Sequence, residues 1–215
     1  SPHHSGKKTA QYVVHYIRHV LKQFDAPEDL VICIDPAVGG RACTAQMMAQ
    51  CDFILATGGS SLVKAAYSSG KPAIGVGAGN ATTYIDANVD MDSVAEMLRM
   101  SQVIDNSTSC SSENNAIVDE TVYDEFIEAC QKKGAYVIRN GSDEKKKLVQ
   151  TIFPELPESH ALSRHTSGRH AKVILELAGI HAPEHASFVL VEEFDGVGEG
   201  FALTGEKVSP ILTVV

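Results

Sequence analysis

Near the start of the chain apolar positions recur at helical spacing. Val13, Ile17, Val20, Leu21 and Phe24 line one side of Lys7 to Phe24, with Pro27 just beyond, so the pattern predicts an amphipathic helix. The pattern then shortens. Leu30-Val31-Ile32-Cys33-Ile34-Asp35 and Asp52-Phe53-Ile54-Leu55-Ala56-Thr57 read as strands, with a helix-forming stretch from Arg41 to Gln50 between them. Strand, helix, strand at this spacing predicts a parallel pair joined by a right-handed crossover. Past Thr57 the chain turns through Gly58-Gly59, where Ser60 or Ser61 can cap a helix over Leu62 to Ser69. Gly70 suits a left-handed stop, and Pro72 to Gly77 reads as a further strand.

The alternation continues to the far end. Helices are predicted over Asp92 to Val103, Thr121 to Lys133, Ser142 to Phe153 and Arg169 to Ala178, and strands over Ala116 to Val118, Ala135 to Ile138 and Phe188 to Glu193. The fold class is therefore α/β. Between Asn80 and Asp90 the glycine-rich strand gives way to an acidic, turn-rich segment, which places a domain boundary there and divides the chain into 1–86 and 87–215. The closing run from Val208 to Val215 is apolar and has no polar tail; a strand of this kind is expected to pair with something further on. With no initiator Met either, both ends read as cut, as in an internal fragment of a longer chain.

Composition narrows the function classes. A net charge of −9 over 215 residues disfavours a nucleic-acid or anionic-membrane surface, which needs a basic stripe, and the run Lys145-Lys146-Lys147 reads as a solvated helix face. No apolar stretch reaches the roughly 20 residues that span a bilayer, and the first residues lack the apolar core of a signal peptide. The expected compartment is the cytoplasm. The five cysteines are odd in number and contain no C-x-x-C pair, so neither a disulfide framework nor a zinc knuckle is indicated. His15/His19 and His181/His185 have i, i+4 spacing without an evident third ligand and read as solvated, so no metal is expected.

The candidate chemistry centres on Cys110. It sits in the polar, small-residue loop from Asp105 to Asn114, where no apolar periodicity accounts for a packed thiol and Ser, Thr and Asn neighbours can donate to a thiolate or an oxyanion. The bland alternative is a small, half-buried thiol, which is the reading for Cys33, Cys43, Cys51 and Cys130. Thr57-Gly58-Gly59-Ser60-Ser61 follows a strand and opens a helix, so free N–H groups and the positive helix end could meet a phosphate. It is neither G-x-G-x-x-G nor a Walker loop, and by itself it serves equally as a tight turn. Gly75-Val76-Gly77-Ala78-Gly79-Asn80 could mark a bulge, close backbone packing, or an approach to a substrate or a nicotinamide ring. Glu206 is not singled out by composition.

Taken together, Thr57-Gly58-Gly59-Ser60, Tyr67-Ser68-Ser69-Gly70-Lys71-Pro72, the Gly75 to Asn80 turn, Cys110 and Glu206-Lys207-Val208-Ser209-Pro210 occur in the order and spacing of the aldehyde dehydrogenase superfamily. Over essentially its whole length the chain resembles the coenzyme A-acylating branch. Thr108-Ser109-Cys110-Ser111-Ser112-Glu113-Asn114 and Thr204-Gly205-Glu206-Lys207 are most similar to acylating sulfoacetaldehyde dehydrogenases, with acetaldehyde-type members near.

The resemblance implies part of a Rossmann-type NAD(P)-binding domain in 1–86 and an incomplete α/β catalytic domain in 87–215. It implies that Cys110 is the nucleophile, that Thr57, Gly58, Gly59, Ser60 and Ser61 meet the cofactor pyrophosphate, and that Glu206 holds the nicotinamide ribose. Gly75 would lie in the cofactor site, and Ser1, Pro2 and His3 near the adenosine ribose. Hydrolytic members carry a glutamate that activates water, and the matching position here is Gly75, which favours acyl transfer to a thiol. The implied reaction is oxidation of an aldehyde to an acyl-CoA, with NAD or NADP as hydride acceptor, coenzyme A as co-substrate, no metal, and a homo-oligomeric full-length enzyme. An anionic aldehyde such as sulfoacetaldehyde would want an Arg, a Lys or a helix N-terminus near Cys110. The alternatives are a hydrolytic aldehyde dehydrogenase yielding a free acid and a non-catalytic dinucleotide-binding module.

Overall fold

A computed structural model describes residues 6–35 and 39–215, and the chain divides into two compact units, Ser1–Gly77 and Ala78–Val215. In the first, α1 (Lys7–Gln23) and α2 (Arg41–Gln50) precede β1 (Ile54–Thr57), α3 (Ser60–Tyr67) and β2 (Ala73–Val76). β1 and β2 pair in parallel, Thr57 opposite Val76, with α3 as the crossover. Met48, Ile54, Ala56 and Ala66 form this unit's small core. Gly70, at φ +76, takes the left-handed stop that ends the α3 segment. The strand expected over Leu30 to Asp35 is not formed. Glu28–Leu30 is a short 3-10 turn, Ile32 is exposed, and among the described residues no strand pairs with residues 31–34; an apolar run becomes a strand only where a partner completes its backbone bonds.

The second unit holds β3 (Ala81–Ile85), α4 (Met91–Val103), β4 (Glu113–Val118), α5 (Tyr123–Lys132), β5 (Ala135–Ile138), α6 (Asp143–Ile152), α7 (Ala171–Leu177), β6 (Phe188–Glu192) and β7 (Ile211–Val214). Its five strands form one parallel sheet in the order β3-β4-β7-β6-β5. β6 is buried at every position. Phe188 and Leu190 pack with α4 and α5 residues such as Leu98 and Phe126, while Val189 and Val191 pack with α6 and α7 residues such as Leu148 and Ile174. Burial on both faces explains why β6 reads as a continuous apolar run.

Three expectations change here. The segment Asn80 to Asp90 contains β3, whose Thr82-Thr83-Tyr84 are strand formers and whose pairing with β4 joins it to the second sheet. Along the chain the first compact unit ends at Gly77 and the second begins at Ala78. The final apolar run pairs inside the chain: β7 lies between β4 and β6 with all four residues buried. Lys145 is no solvated face residue either. It lies three and seven positions before Leu148 and Ile152, so helical periodicity turns it inward, and it pairs with buried Glu193 at 2.8 Å. No helix among the described residues is long and apolar enough to cross a membrane.

Candidate active site

Three chain segments enter three neighbouring strands side by side in the second unit. Gly79-Asn80 leads into β3, the Cys110 loop into β4, and Glu206-Lys207 towards β7. Parallel pairing sets Ala81 opposite Glu113 and Asn115 opposite Thr213, so all three lead-ins fall at the amino-terminal edge of the sheet. Sequence separation of about a hundred residues is erased by register alone.

Two buried asparagines that open β4 bind the lead-ins together. Asn114 Nδ2 donates to the Gly79 carbonyl at 3.3 Å, and Asn114 Oδ1 accepts from the Lys207 N–H at 3.0 Å. Asn115 Nδ2 donates to Asn80 Oδ1 (2.9 Å) and to the Thr204 carbonyl (3.1 Å), and Asn80 Nδ2 reaches the same carbonyl at 2.9 Å. Glu206 completes the set by accepting the Gly79 N–H on Oε1 at 2.9 Å. Gly79 has no room for a side chain: an added methyl would lie 2.8 Å from Cys110 Cα and closer still to the Cys110 carbonyl oxygen. The glycine there serves close packing against the Cys110 backbone.

Backbone strain flanks the same place. Asp105, Asn106 and Ser107 have φ of 51°, 50° and 57°, and β-branched Val208 has φ of 47°. Such conformations cost about 1–3 kcal/mol each and persist where the surroundings over-determine them, as at binding and catalytic sites. Here the Val208 carbonyl accepts from the Gly168 N–H at 2.8 Å, and the Gly168 carbonyl accepts from Asn106 Nδ2 at 3.0 Å. Gly168 therefore ties the two strained turns to each other. The loop that carries it also holds Arg164, His165, Arg169 and His170, all exposed.

Among the five cysteines Cys110 alone is exposed. Cys130 is buried, and burial pushes its thiol up to about 12, while Cys33, Cys43 and Cys51 are half-buried. Lys207 is fully buried, and its Nζ donates to the carbonyls of Leu203, Asn114 and Gly205. Burial pushes its ammonium down, to about 7, against three acceptors that use the three N–H bonds only the protonated form has.

The Gly58 turn and Gly75 belong to the first unit. Gly59 is the N-cap of α3 and makes no side-chain cap bond; Ser60 and Ser61 are its first helical residues, not caps. The backbone N–H groups of such a first turn have no intrahelical acceptor, and space around Gly59 is open, which suits an anionic group. A cavity of about 630 Å³ adjoins this turn, lined by residues of α2 and α3 that include Arg41, Thr44, Met48, Ser61 and Leu62. Gly75 is crowded at its Cβ position instead. Its N–H donates to Tyr67 Oη at 3.0 Å, and a Cβ there would lie 2.6 Å from Val63 Cγ1 and 2.9 Å from Tyr67 Cε2. Ser1, Pro2 and His3 lie outside the described residues, where no placement can be given to them. Among the described residues no group of three or more His, Cys, Asp or Glu could hold a metal.

Of the sequence-derived residues, Cys110 and Glu206 meet through Gly79. The sequence reading offered close backbone packing for the Gly75 to Asn80 turn, which Gly79 fulfils; it missed Asn115 and the parts played by Asn80, Asn114 and Lys207. The available signal was the pair Asn114-Asn115 at the mouth of the apolar run Ala116-Ile117-Val118: two adjacent buried amides need partners.

Residues 5–152 match the model of the aldehyde dehydrogenase family, and the chain belongs to that family. The acylating sulfoacetaldehyde dehydrogenase of Bilophila wadsworthia is 37% identical over 215 residues, covering 99% of this chain and 45% of that protein. The acetylating aldehyde dehydrogenase of Geobacillus thermoglucosidasius has a crystal structure that matches with a TM-score of 0.90 at 33% identity, over 100% of this chain and 46% of that one. The structure of Rhodopseudomonas palustris propionaldehyde dehydrogenase with bound propionyl-CoA matches at 0.85 and 29% identity, again over 100% and 46%. The chain thus spans just under half the length of these relatives.

Proposed function

We propose that this chain carries the nucleophile and part of the cofactor site of a coenzyme A-acylating aldehyde dehydrogenase that converts an aldehyde to an acyl-CoA. The single observation that carries the reading is the exposed Cys110 thiol on a strained loop whose backbone is packed on Gly79, the residue that binds Glu206.

In this mechanism the Cys110 thiolate adds to the aldehyde carbon, and backbone N–H groups of the loop face the oxyanion of the resulting thiohemiacetal. A bound nicotinamide dinucleotide supplies the hydride acceptor. The first helical N–H groups at Ser60 and Ser61 suit its pyrophosphate, the α2/α3 cavity its adenosine end, and Glu206 its nicotinamide ribose. Loss of hydride from the thiohemiacetal carbon leaves a thioester on Cys110. Attack by the coenzyme A thiolate on that carbonyl releases acyl-CoA and returns Cys110 as thiolate. Water competes poorly because position 75, which the resemblance matches to the base of hydrolytic members, is a glycine and supplies no carboxylate to activate it. The acylating and acetylating relatives support the same choice.

For the substrate we propose an anionic aldehyde of the sulfoacetaldehyde kind. The loop 163–170 is basic in a chain of net charge −9, is held to the Cys110 loop through Gly168, and exposes Arg164 and Arg169, neither of which joins an ion pair among the described residues. In the full-length protein, NAD(P)H formation is expected to require coenzyme A, to be lost in Cys110→Ala, and to favour sulfoacetaldehyde over acetaldehyde. Strong turnover without coenzyme A, giving free acid, would establish the hydrolytic reading. Unchanged preference in Arg164→Glu/Arg169→Glu would exclude the loop from substrate recognition.

A further inference from the structure

The segment that carries Glu206 is fastened by a buried lysine that, among the described residues, has no carboxylate partner. Lys207 is 0% exposed, and among the described residues no ion pair includes it. Its Nζ donates to the carbonyls of Leu203 at 2.8 Å, Asn114 at 2.9 Å and Gly205 at 3.0 Å. An apolar side chain of similar length would fill the same space without the cost of desolvating an ammonium, so packing does not account for a lysine here. What the lysine adds is three directed bonds.

Their acceptors show what the cation joins. Leu203 and Gly205 lie on the approach to Glu206, and Asn114 lies at the head of β4 just beyond Cys110. The Lys207 N–H also donates to Asn114 Oδ1, Asn114 Nδ2 donates to the Gly79 carbonyl, and the Gly79 N–H donates to Glu206 Oε1. Gly79, Glu206, Lys207 and Asn114 therefore form a closed ring, and the Cys110 backbone packs on its Gly79 member. Directly after Lys207 the chain enters the left-handed turn at Val208. A β-branched residue holds that conformation only if both of its sides are fixed.

We propose that Lys207 is the positioning residue of this site: by tying Leu203 and Gly205 to Asn114 its side chain braces the ring that its own N–H closes, and so holds the Glu206 carboxylate at one place on the Gly79 backbone, beside Cys110. The kinetic consequence rests on the reading of Glu206 as the ligand of the cofactor ribose; the ring does not.

The test uses the full-length protein with Lys207→Met, which keeps the bulk and removes the three bracing bonds, and Asn114→Ala, which breaks the ring itself. Hydrogen exchange of the peptide spanning 79–82 should accelerate in both variants by more than peptides of β5 and β6 do. The KM for NAD(P)+ should rise about tenfold, as for loss of a bond to a charged group, while alkylation of Cys110 without cofactor stays within about twofold of the parent rate. Lys207→Arg should restore part of the loss. Unchanged exchange at 79–82, or acceleration no greater than in β5 and β6, would overturn the ring. With Glu206→Gln raising the KM and both variants leaving it at the parent value, the positioning role fails. If Glu206→Gln itself leaves the KM unchanged, the cofactor reading of Glu206 falls, and exchange at 79–82 still decides on the ring. Should Lys207→Met not accumulate as folded protein, Asn114→Ala carries both readouts alone.

Discussion

Gly79 lies so close to Cys110 that the position between them has no space for even one methyl group, while the Gly79 N–H is spent on Glu206. One backbone unit thus sets the distance between the thiol loop and the carboxylate. Gly79→Ala must push the Cys110 loop away, with a cost of about 1–3 kcal/mol from overpacking. Thermal unfolding measures that cost. Alkylation kinetics should also show an altered Cys110 rate, and a variant with parent stability and parent reactivity would mean that the loop shifts freely.

Exposure separates the thiols. Cys110 is open, whereas Cys130 is buried with its thiol raised to about 12. Brief iodoacetamide treatment of the native protein should therefore label Cys110 first and leave Cys130 unmodified until the chain unfolds. Peptide mapping by mass spectrometry reads the order directly.

Gly75 is constrained by two side chains and not by its backbone angles. A Cβ there meets Val63 and Tyr67, so Gly75→Ala should destabilise the first unit by about 1–3 kcal/mol. Adding Val63→Ala should return part of this, making the pair less than additive. The same crowding predicts that Gly75→Glu does not install a hydrolytic base. Urea unfolding of the parent, Gly75→Ala, Val63→Ala and the double variant checks the coupling, and product analysis of Gly75→Glu checks the absence of free acid.

Within the run Lys145-Lys146-Lys147 only the first residue carries structure. Lys145→Ala leaves buried Glu193 without its cation and should cost about 3–5 kcal/mol. Lys146→Ala, on the exposed side with an exposed partner in Asp143, should stay within about 0.5 kcal/mol. Denaturant midpoints of the two variants give the comparison.

Lys207 adds a pH dependence of definite sign. Burial lowers its pKa from 10.5 to about 7, so between those values the unfolded chain binds a proton that the folded chain gives up. Stability contributed by this group therefore rises with pH across the window, and its burial is least favourable below it. Compared at pH 7 and pH 9, the parent should gain stability relative to Lys207→Met; Cys130 is common to both and cancels. Parallel pH profiles would show that the three carbonyls keep the ammonium charged throughout.

The sequence also shows how far pattern reaches. The periodicity of α1, the helix-forming stretches of α2, α4, α5 and α6, the runs of β1, β2, β5 and β6, and the left-handed glycine at Gly70 are local events, settled by residues within one turn or one strand of each other. Leu30 to Asp35 has the composition of a strand and is none, because strand formation needs a partner that composition does not name. β3 failed to stand out in an acidic surrounding for the converse reason: its partner β4 supplies what its short pattern lacks.

The candidate site divides in the same way. Sequence by itself determined the α/β class, the polar loop of Cys110, the helix-opening turn at Gly58 and the order of motifs that marks the family, since each is a property of neighbouring residues. Only the tertiary structure decided that Gly79, Asn114, Glu206 and Lys207 close on one another, that Gly168 joins two strained turns, and that Lys145 faces inward to Glu193. Those relations span the parallel register of β3, β4 and β7. Register is set by the packing of whole strands against both helical layers, a sum over many distant side chains that no single segment contains.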